Sequence, residues 1–408
     1  VEKLALHGGK PAKTKPFPRW PHYDDSEKQA LIDVLESHIW WRTPGTQTLG
    51  FEKEFAAYHE AKHGIAVTNG TAAIEVTMMA LDIGLGDEVI VPDFTFVATA
   101  SAVLFAGALP VLVDVDPYTY CIDPERVEAA ITERTRAIIP VHLGGHPADM
   151  DRLTAIAKKH NLNLIEDSSH AHGSEWKGHK IGALGDIGTF SFQQSKLITA
   201  GEGGIIVTND DELERLARSA HDCGRMPGEW FYAHYINGSN YRLSEWQGTI
   251  LRQQLRRLPQ QGQRRMANAR YLDQALNQVE GITPQSLDPR CTHNGHYAYI
   301  FHYDAHAFAR APVDRFIQAI NAEGIPNQAS YPPLHELDVF TSGAYRQRLA
   351  PTMRDEAHAF MHESFHNTMR GAWETVWLPQ YLLLGDEEDI AEIAQAIKKI
   401  QRHAHTLL

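Results

Sequence analysis

Short apolar runs alternate with amphipathic stretches along the first 260 residues. Runs at 64–68 (GIAVT), 88–91, 111–115, 137–142, 162–165, 187–192 and 205–208 are β-branched and four to six residues long. That length and composition predict buried strands. Between them, 27–37, 51–59, 72–81, 97–106, 125–130, 150–160 and 211–220 repeat apolar residues at helical spacing. Strand–helix alternation of this kind predicts a largely parallel α/β sheet. Past residue 260 the texture changes. Beyond a long helix expected at 243–258, helices are expected at 264–278, 313–323 and 386–403, and a strand at 297–303. This is the pattern of a smaller α+β C-terminal unit, so the chain divides into a large domain over 1–260, with residues 1–25 as an arm, and a small domain over 261–408.

The sheet pattern places candidate chemistry. Parallel sheets bind ligands at the carboxyl ends of their strands. Asn69, Phe96, Asp167 and Lys196 each follow a predicted strand or end one. The turn Asn69-Gly70-Thr71 joins a strand to a helix and presents free backbone N–H groups to an anion. Thr189 to Gly204 (TFSFQQSKLITAGEGG) delivers Ser191 and then Lys196 between two apolar strands. A lysine in that setting is costly unless it has a task. The loop Trp40-Trp41-Arg42-Thr43-Pro44-Gly45 offers either packing under a lid or a pocket wall.

Charge and cysteines narrow the class. The net charge of −13 with no Lys/Arg block argues against a nucleic-acid surface. Cys121, Cys223 and Cys291 are odd in number and far apart, which fits a reducing cytoplasm rather than a disulfide framework. No stretch approaches the ~18 apolar residues of a membrane span, and VEKLALHGGKPAK has no leader-like apolar core. His362-Glu363-Ser364-Phe365-His366 matches the HExxH zinc-protease pattern, but no third histidine follows at metzincin spacing, and among 23 histidines one such match is unsurprising.

Several motifs occur in a specific order: LALHGGKP, VTNGTAA, IVPDFTFVATA, VHLGGHPADMD, LIEDSSHAHG, TFSFQQSKLITAGEGG, GSNYRLSE and LPQYLLLGDEEDI. In these the chain resembles the DegT/DnrJ/EryC1/StrS group of pyridoxal-phosphate sugar aminotransferases, over essentially its whole length. The resemblance implies fold type I, an aspartate-aminotransferase-like architecture. It implies that Lys196 holds pyridoxal 5'-phosphate covalently and, once released, moves the proton of transamination. Asp167 would pair with the pyridine nitrogen, His170 contact the phenolic oxygen and Phe96 stack on the ring. Gly70, Thr71 and Ser191 would bind the phosphate. Asn240, in GSNYR, would reach the phosphate of the other subunit, so the resemblance implies a homodimer with shared sites. Family members with His at the lysine position act as dehydratases; Lys196 favours amino transfer.

Around the lysine, Gln193-Gln194-Ser195 and Leu197 depart from the FSFxPxKN form of many nucleotide-sugar enzymes. They are more similar to enzymes acting on keto-cyclitols and to those making 3-amino-5-hydroxybenzoate. The expected reaction is therefore transfer from L-glutamine or L-glutamate to a keto-cyclitol or keto-sugar, with the aminohydroxybenzoate reaction as alternative. Trp41, Arg42, Arg242, Tyr331 and His335 are the candidate substrate residues, Arg242 as the cation for the donor carboxylate.

Overall fold

The computed structural model describes residues 2–226, 228–353 and 364–408. Its centre is a seven-stranded sheet in the order β1-β9-β8-β5-β4-β2-β3. The strands are β1 (His63–Val67), β2 (Glu88–Pro92), β3 (Leu109–Val113), β4 (Thr135–Ile138), β5 (Asn163–Asp167), β8 (Ile187–Ser191) and β9 (Gly204–Thr208), with β6 (Glu175–Trp176) and β7 (His179–Lys180) in a small separate sheet. Neighbours from β3 through β8 pair in parallel, whereas β9 runs antiparallel to both β8 and β1. The strand expected at 111–115 begins two residues earlier. Its Pro110 is tolerated because β3 is an edge strand, where a missing N–H costs no ladder bond. The strand expected at 137–142 ends at Ile138, just before Pro140.

Helices cover both faces, as buried parallel strands require. They are α1 (Asp25–Ser37), α2 (Gln47–Tyr58), α3 (Gly70–Ala80), α4 (Ala98–Ala106), α5 (Pro124–Ala129), α6 (Met150–His160), α7 (Asp211–His221) and α8 (Glu245–Leu276). The two helices expected on either side of residue 260 are one. Helix α8 runs through Pro259 for 32 residues, starting from a Ser244–Gln247 capping box. A proline inside a helix removes a hydrogen bond. Here α8 is held along its length by α1 and α2 on one part and α12 (Glu387–Arg402) on another, and this packing outweighs the loss.

The C-terminal part is built on a second sheet, β10 (Ile282–Pro284), β12 (Ala298–Tyr303) and β13 (Thr375–Pro379), all antiparallel, with β11 (Cys291–His293) joining the small sheet of β6 and β7. Helices α9 (Val313–Ala322) and α12 pack on it, with α10 (Asp338–Thr341) and α11 (His366–Trp373) between. Residues of the N-terminal arm belong to this core. Leu4 and Phe17 are buried in it, and Lys13 Nζ donates to Asp389 (2.6 Å) and Glu392 (2.7 Å) of α12. No helix among the described residues is long and apolar enough to cross a membrane.

Candidate active site

The carboxyl edge of the sheet opens into a cavity of about 620 Å³. Three strand ends build its floor. After β1, the Asn69 side chain caps α3 by accepting from Ala72 N–H at 2.8 Å. The first amides of α3, those of Gly70 and Thr71, are left without an intrahelical partner at the cavity. Gly70 lies so close to β8 that a Cβ there would sit 2.7 Å from Ser191 Cβ and 3.2 Å from its Oγ. A Cβ on Gly204 would meet the Asn69 carbonyl at 2.3 Å. Two glycines thus press the turn, Ser191 and β9 into one cradle of amide and hydroxyl donors.

At the end of β5, adjacent carboxylates face opposite ways, as a strand's two-residue period requires. Glu166 turns away and accepts the N–H groups of Gly182, Leu184 and Gly185 at 2.7–2.9 Å. Asp167 turns toward the cavity. Its Oδ2 accepts the Thr99 hydroxyl of α4 at 2.8 Å and its Oδ1 the Ser169 N–H at 3.2 Å. After β8 the chain turns through Gln193-Gln194-Ser195 and brings Lys196 to the cavity. The amine is buried, with Nζ 4.4 Å from the centroid of the Tyr297 ring. Burial holds its pKa below lysine's ordinary value, while Tyr297 and Asp167 pull the other way.

The opposite wall comes from the C-terminal part. Tyr331 donates or accepts at His170 Nε2 (3.0 Å) and packs 5.9 Å from the half-exposed Phe96 ring. Its hydroxyl is raised well above the usual tyrosine value by burial, then by Tyr297 and Asp167. His170 is held well below the usual histidine value by burial and by Lys196 and His172, so it is neutral. Both its ring nitrogens are engaged, Nδ1 by the Gly144 N–H at 3.4 Å.

Of the residues singled out in the sequence, Gly70, Thr71, Phe96, Asp167, His170, Ser191, Lys196 and Tyr331 converge on this one cavity. Five do not line it. Arg42 is buried and gives its Nη2 to both Glu52 oxygens at 2.7 Å, so its guanidinium is committed to α2 rather than to a pocket. Arg242 pairs with Asp222 at 2.5 Å and lies over the Trp41 ring. Trp41 meets Phe231 edge-on. His335 gives its Nδ1–H to the fully buried Asp93 at 2.6 Å and stacks on Phe365. Asn240 is exposed on a segment bridged to Asp222. Sequence reasoning missed Thr99, one turn into α4 beyond Phe96, which a carboxylate-orienting hydroxyl search could have found. It also missed Glu75, one helical turn beyond Thr71 on α3, Tyr241, next to Asn240, and Tyr297, which tertiary packing brings there. His362 and Glu363 of the HExxH match lie outside the described residues, and no group of metal-ligating side chains occurs among those described.

A mostly parallel sheet with a buried lysine and an acid at its carboxyl edge, beside a helix-terminus cradle, defines an α/β enzyme of fold type I. The chain belongs to the DegT/DnrJ/EryC1/StrS aminotransferase family, whose sequence pattern matches residues 21–398. It is 41% identical over 389 residues to 3-amino-5-hydroxybenzoate synthase of Amycolatopsis mediterranei, covering 94% of this chain and 97% of that protein. It is 38% identical over 417 residues to L-glutamine:2-deoxy-scyllo-inosose aminotransferase of Streptoalloteichus tenebrarius, covering 98% of each. The crystal structure of a 3-amino-5-hydroxybenzoic acid synthase superposes with a TM-score of 0.85 at 39% identity, over 96% of this chain and 100% of that one.

Proposed function

We propose that the chain is a pyridoxal-phosphate-dependent aminotransferase that moves the amino group of L-glutamine to a keto-cyclitol. The residues fit the cofactor. The Gly70–Ser191 approach leaves amides and a hydroxyl, and no side chain, where a phosphate would sit. Buried Asp167, oriented by Thr99, suits a pyridine N–H. Bound there, pyridoxal phosphate supplies an electron sink for the substrate's amine-bearing carbon. Lys196 would hold it covalently, and burial, by lowering the pKa, raises the neutral and nucleophilic fraction of its amine. Freed from the cofactor, Lys196 Nζ would move the proton at the reacting carbon. Asp167 would pair with the ring nitrogen, and Phe96 would lie against the ring.

The observation that carries the acceptor assignment is the cavity lining. Tyr241, Tyr297, Tyr331, Ser195 and Gln193 offer hydroxyl and amide partners, and Lys196 is the one cationic side chain lining it among the described residues. Such a wall suits a neutral polyhydroxylated ring, which needs hydrogen-bond partners and no counter-charge. The 41% identity to 3-amino-5-hydroxybenzoate synthase supports a second reading, in which the acceptor bears a carboxylate. Asn240, Arg242 and Trp41 stand outside the chain's own cavity. Trp230, Phe231 and Tyr232 nearby are 71%, 48% and 66% exposed. Together they support a homodimer in which this face meets a second copy.

The test is spectroscopic. Glutamine added to the loaded protein should bleach the cofactor's yellow band, and a keto-cyclitol of the 2-deoxy-scyllo-inosose class should restore it. Restoration by cyclic keto-acids alone would move the assignment to the second reading. A band that no amino acid changes would refute amino transfer.

A further inference from the structure

The polar groups around Lys196 form a hydrogen-bonded chain whose direction follows from counting donors and acceptors. Gln193 Oε1 accepts both the N–H (2.8 Å) and the O–H (2.7 Å) of Ser195. With the Ser195 proton spent there, the Tyr297 hydroxyl donates to Ser195 Oγ across 3.1 Å. At the other end, the Gly144 N–H points at His170 Nδ1, so the imidazole proton is on Nε2 and goes to the Tyr331 oxygen. The Tyr331 hydroxyl lies near that of Tyr297, and burial together with this neighbour raises it well above the usual tyrosine value. From Tyr297 through Ser195 every proton therefore points toward Gln193. His170 also stacks on Tyr297, with centroids 3.9 Å apart and planes 17° from parallel. One face of the Tyr297 ring is thereby covered, and the Lys196 amine lies over the ring, 4.4 Å from its centroid.

We propose that Tyr297 is the positioning residue of Lys196: its ring, clamped by His170 and by the hydroxyl chain, is the seat of the lysine amine whenever that amine is unattached. The face of an aromatic ring attracts an ammonium, more strongly where water is excluded. A seat of this kind keeps the freed amine from swinging away and returns it to one place. The titratable groups around this amine are Asp167, Tyr297, His170, His172 and Tyr331, with Glu75 and Glu202 on the same cavity wall. The inference rests on Lys196 being the reactive amine of the proposed reaction. Its test reads that amine without cofactor or substrate, so the two stand or fall separately.

The cofactor-free full-length chain is treated with cyanate between about pH 7 and pH 10, and carbamylation of Lys196 is followed by mass spectrometry. Tyr297→Phe keeps the ring and cuts the hydroxyl chain; Tyr297→Leu removes the ring. The seat predicts Lys196 labelling about tenfold faster in Tyr297→Leu at the low-pH end, where the ring holds the amine protonated, with the curves converging at high pH. Tyr297→Phe should stay within about threefold of wild type. Labelling of Tyr297→Leu within twofold of wild type throughout would overturn the proposal. So would a rise equal at every pH, which is loosened packing, or an equal rise in Tyr297→Phe. Should Tyr297→Leu lack a native circular dichroism spectrum, Tyr297→Met supplies the same ring-free comparison with an unbranched, more adaptable side chain.

Discussion

Acid should unfold this chain early, because it buries many imidazoles in neutral form. His59 and His296 are pushed down to about 3 and His146 to about 4, with burial the main cause in each. His170, His172 and His221 are held well below the usual value, again chiefly by burial. The hydrogen bonds explain the resistance to protonation. His59 Nδ1 donates to the Ile181 carbonyl at 2.8 Å while Nε2 has no acceptor, and its ring stacks on Phe55. His172 Nδ1 and His221 Nε2 are likewise without partners. In the unfolded chain each imidazole titrates near 6.5. Below that pH the unfolded state binds protons that the native state refuses, so stability is full above about 6.5 and falls with pH. Each group contributes up to about 1.4 kcal/mol per pH unit, and the six named reach a limiting slope of about 8. A typical native stability of about 5–15 kcal/mol would be consumed within about two pH units. The His335–Asp93 pair runs the other way. Although burial pulls His335 down, its bond to Asp93 raises it overall, so that contribution is present in acid and fades as pH rises through the raised value. Urea unfolding followed by circular dichroism from about pH 8 to pH 5 measures the slope. His59→Phe should remove roughly one sixth of it. A midpoint unchanged over that range would refute the neutral assignment of these histidines.

Two substitutions probe the floor of the cavity. Gly70→Ala puts a methyl 2.7 Å from Ser191 Cβ and should weaken pyridoxal phosphate binding at least about tenfold, read by absorbance titration; unchanged affinity would remove the turn from the phosphate site. Asp167→Asn keeps the Thr99 contact but removes the charge. It should slow the glutamine half-reaction about 10²–10⁴-fold with cofactor still bound, the cost of leaving one member of a buried pair alone; a rate near wild type would show that Asp167 does not hold the ring nitrogen.

Lys196, Asp167 and the Asn69–Thr71 turn were legible in the sequence because each sits where an apolar run stops, and the sheet period fixes where such ends point. The antiparallel β9 was not legible, since a short apolar run has no direction. Nor was the unbroken α8: Pro259 argues locally for a stop, and only the helices on both sides of it argue otherwise. Arg42 shows the limit for charged residues. Beside two tryptophans in a loop it reads as a pocket cation, yet Glu52 on α2 takes it, while the same carboxylate also accepts the Ala66 N–H at 2.8 Å. His335 finds Asp93, 242 positions away, which no spacing rule reaches. Tyr297 belongs with these, since β12 pairs in a different sheet from the one carrying Lys196.

The origin of each wall has a consequence for specificity. The floor of the cavity, with Lys196, Asp167, Ser191 and the Gly70 turn, comes from ends of one sheet whose strands are buried throughout. A change there disturbs the sheet as well as the site. Tyr297 and Tyr331 enter from the other side, at the start of β12 and in the loop before α10. They can change without touching the sheet's hydrogen bonds. The lock between the two sides is local: Asp93 fastens His335 and the Leu334 N–H, at 2.9 Å, to the loop that carries Phe96. Lys196 and Asp167 thus sit on the part of the fold that tolerates least change, and Tyr331 on a part that tolerates more. This directs any attempt to change the acceptor to the segment around Tyr331, with Asp93 and His335 left in place to hold it against Phe96.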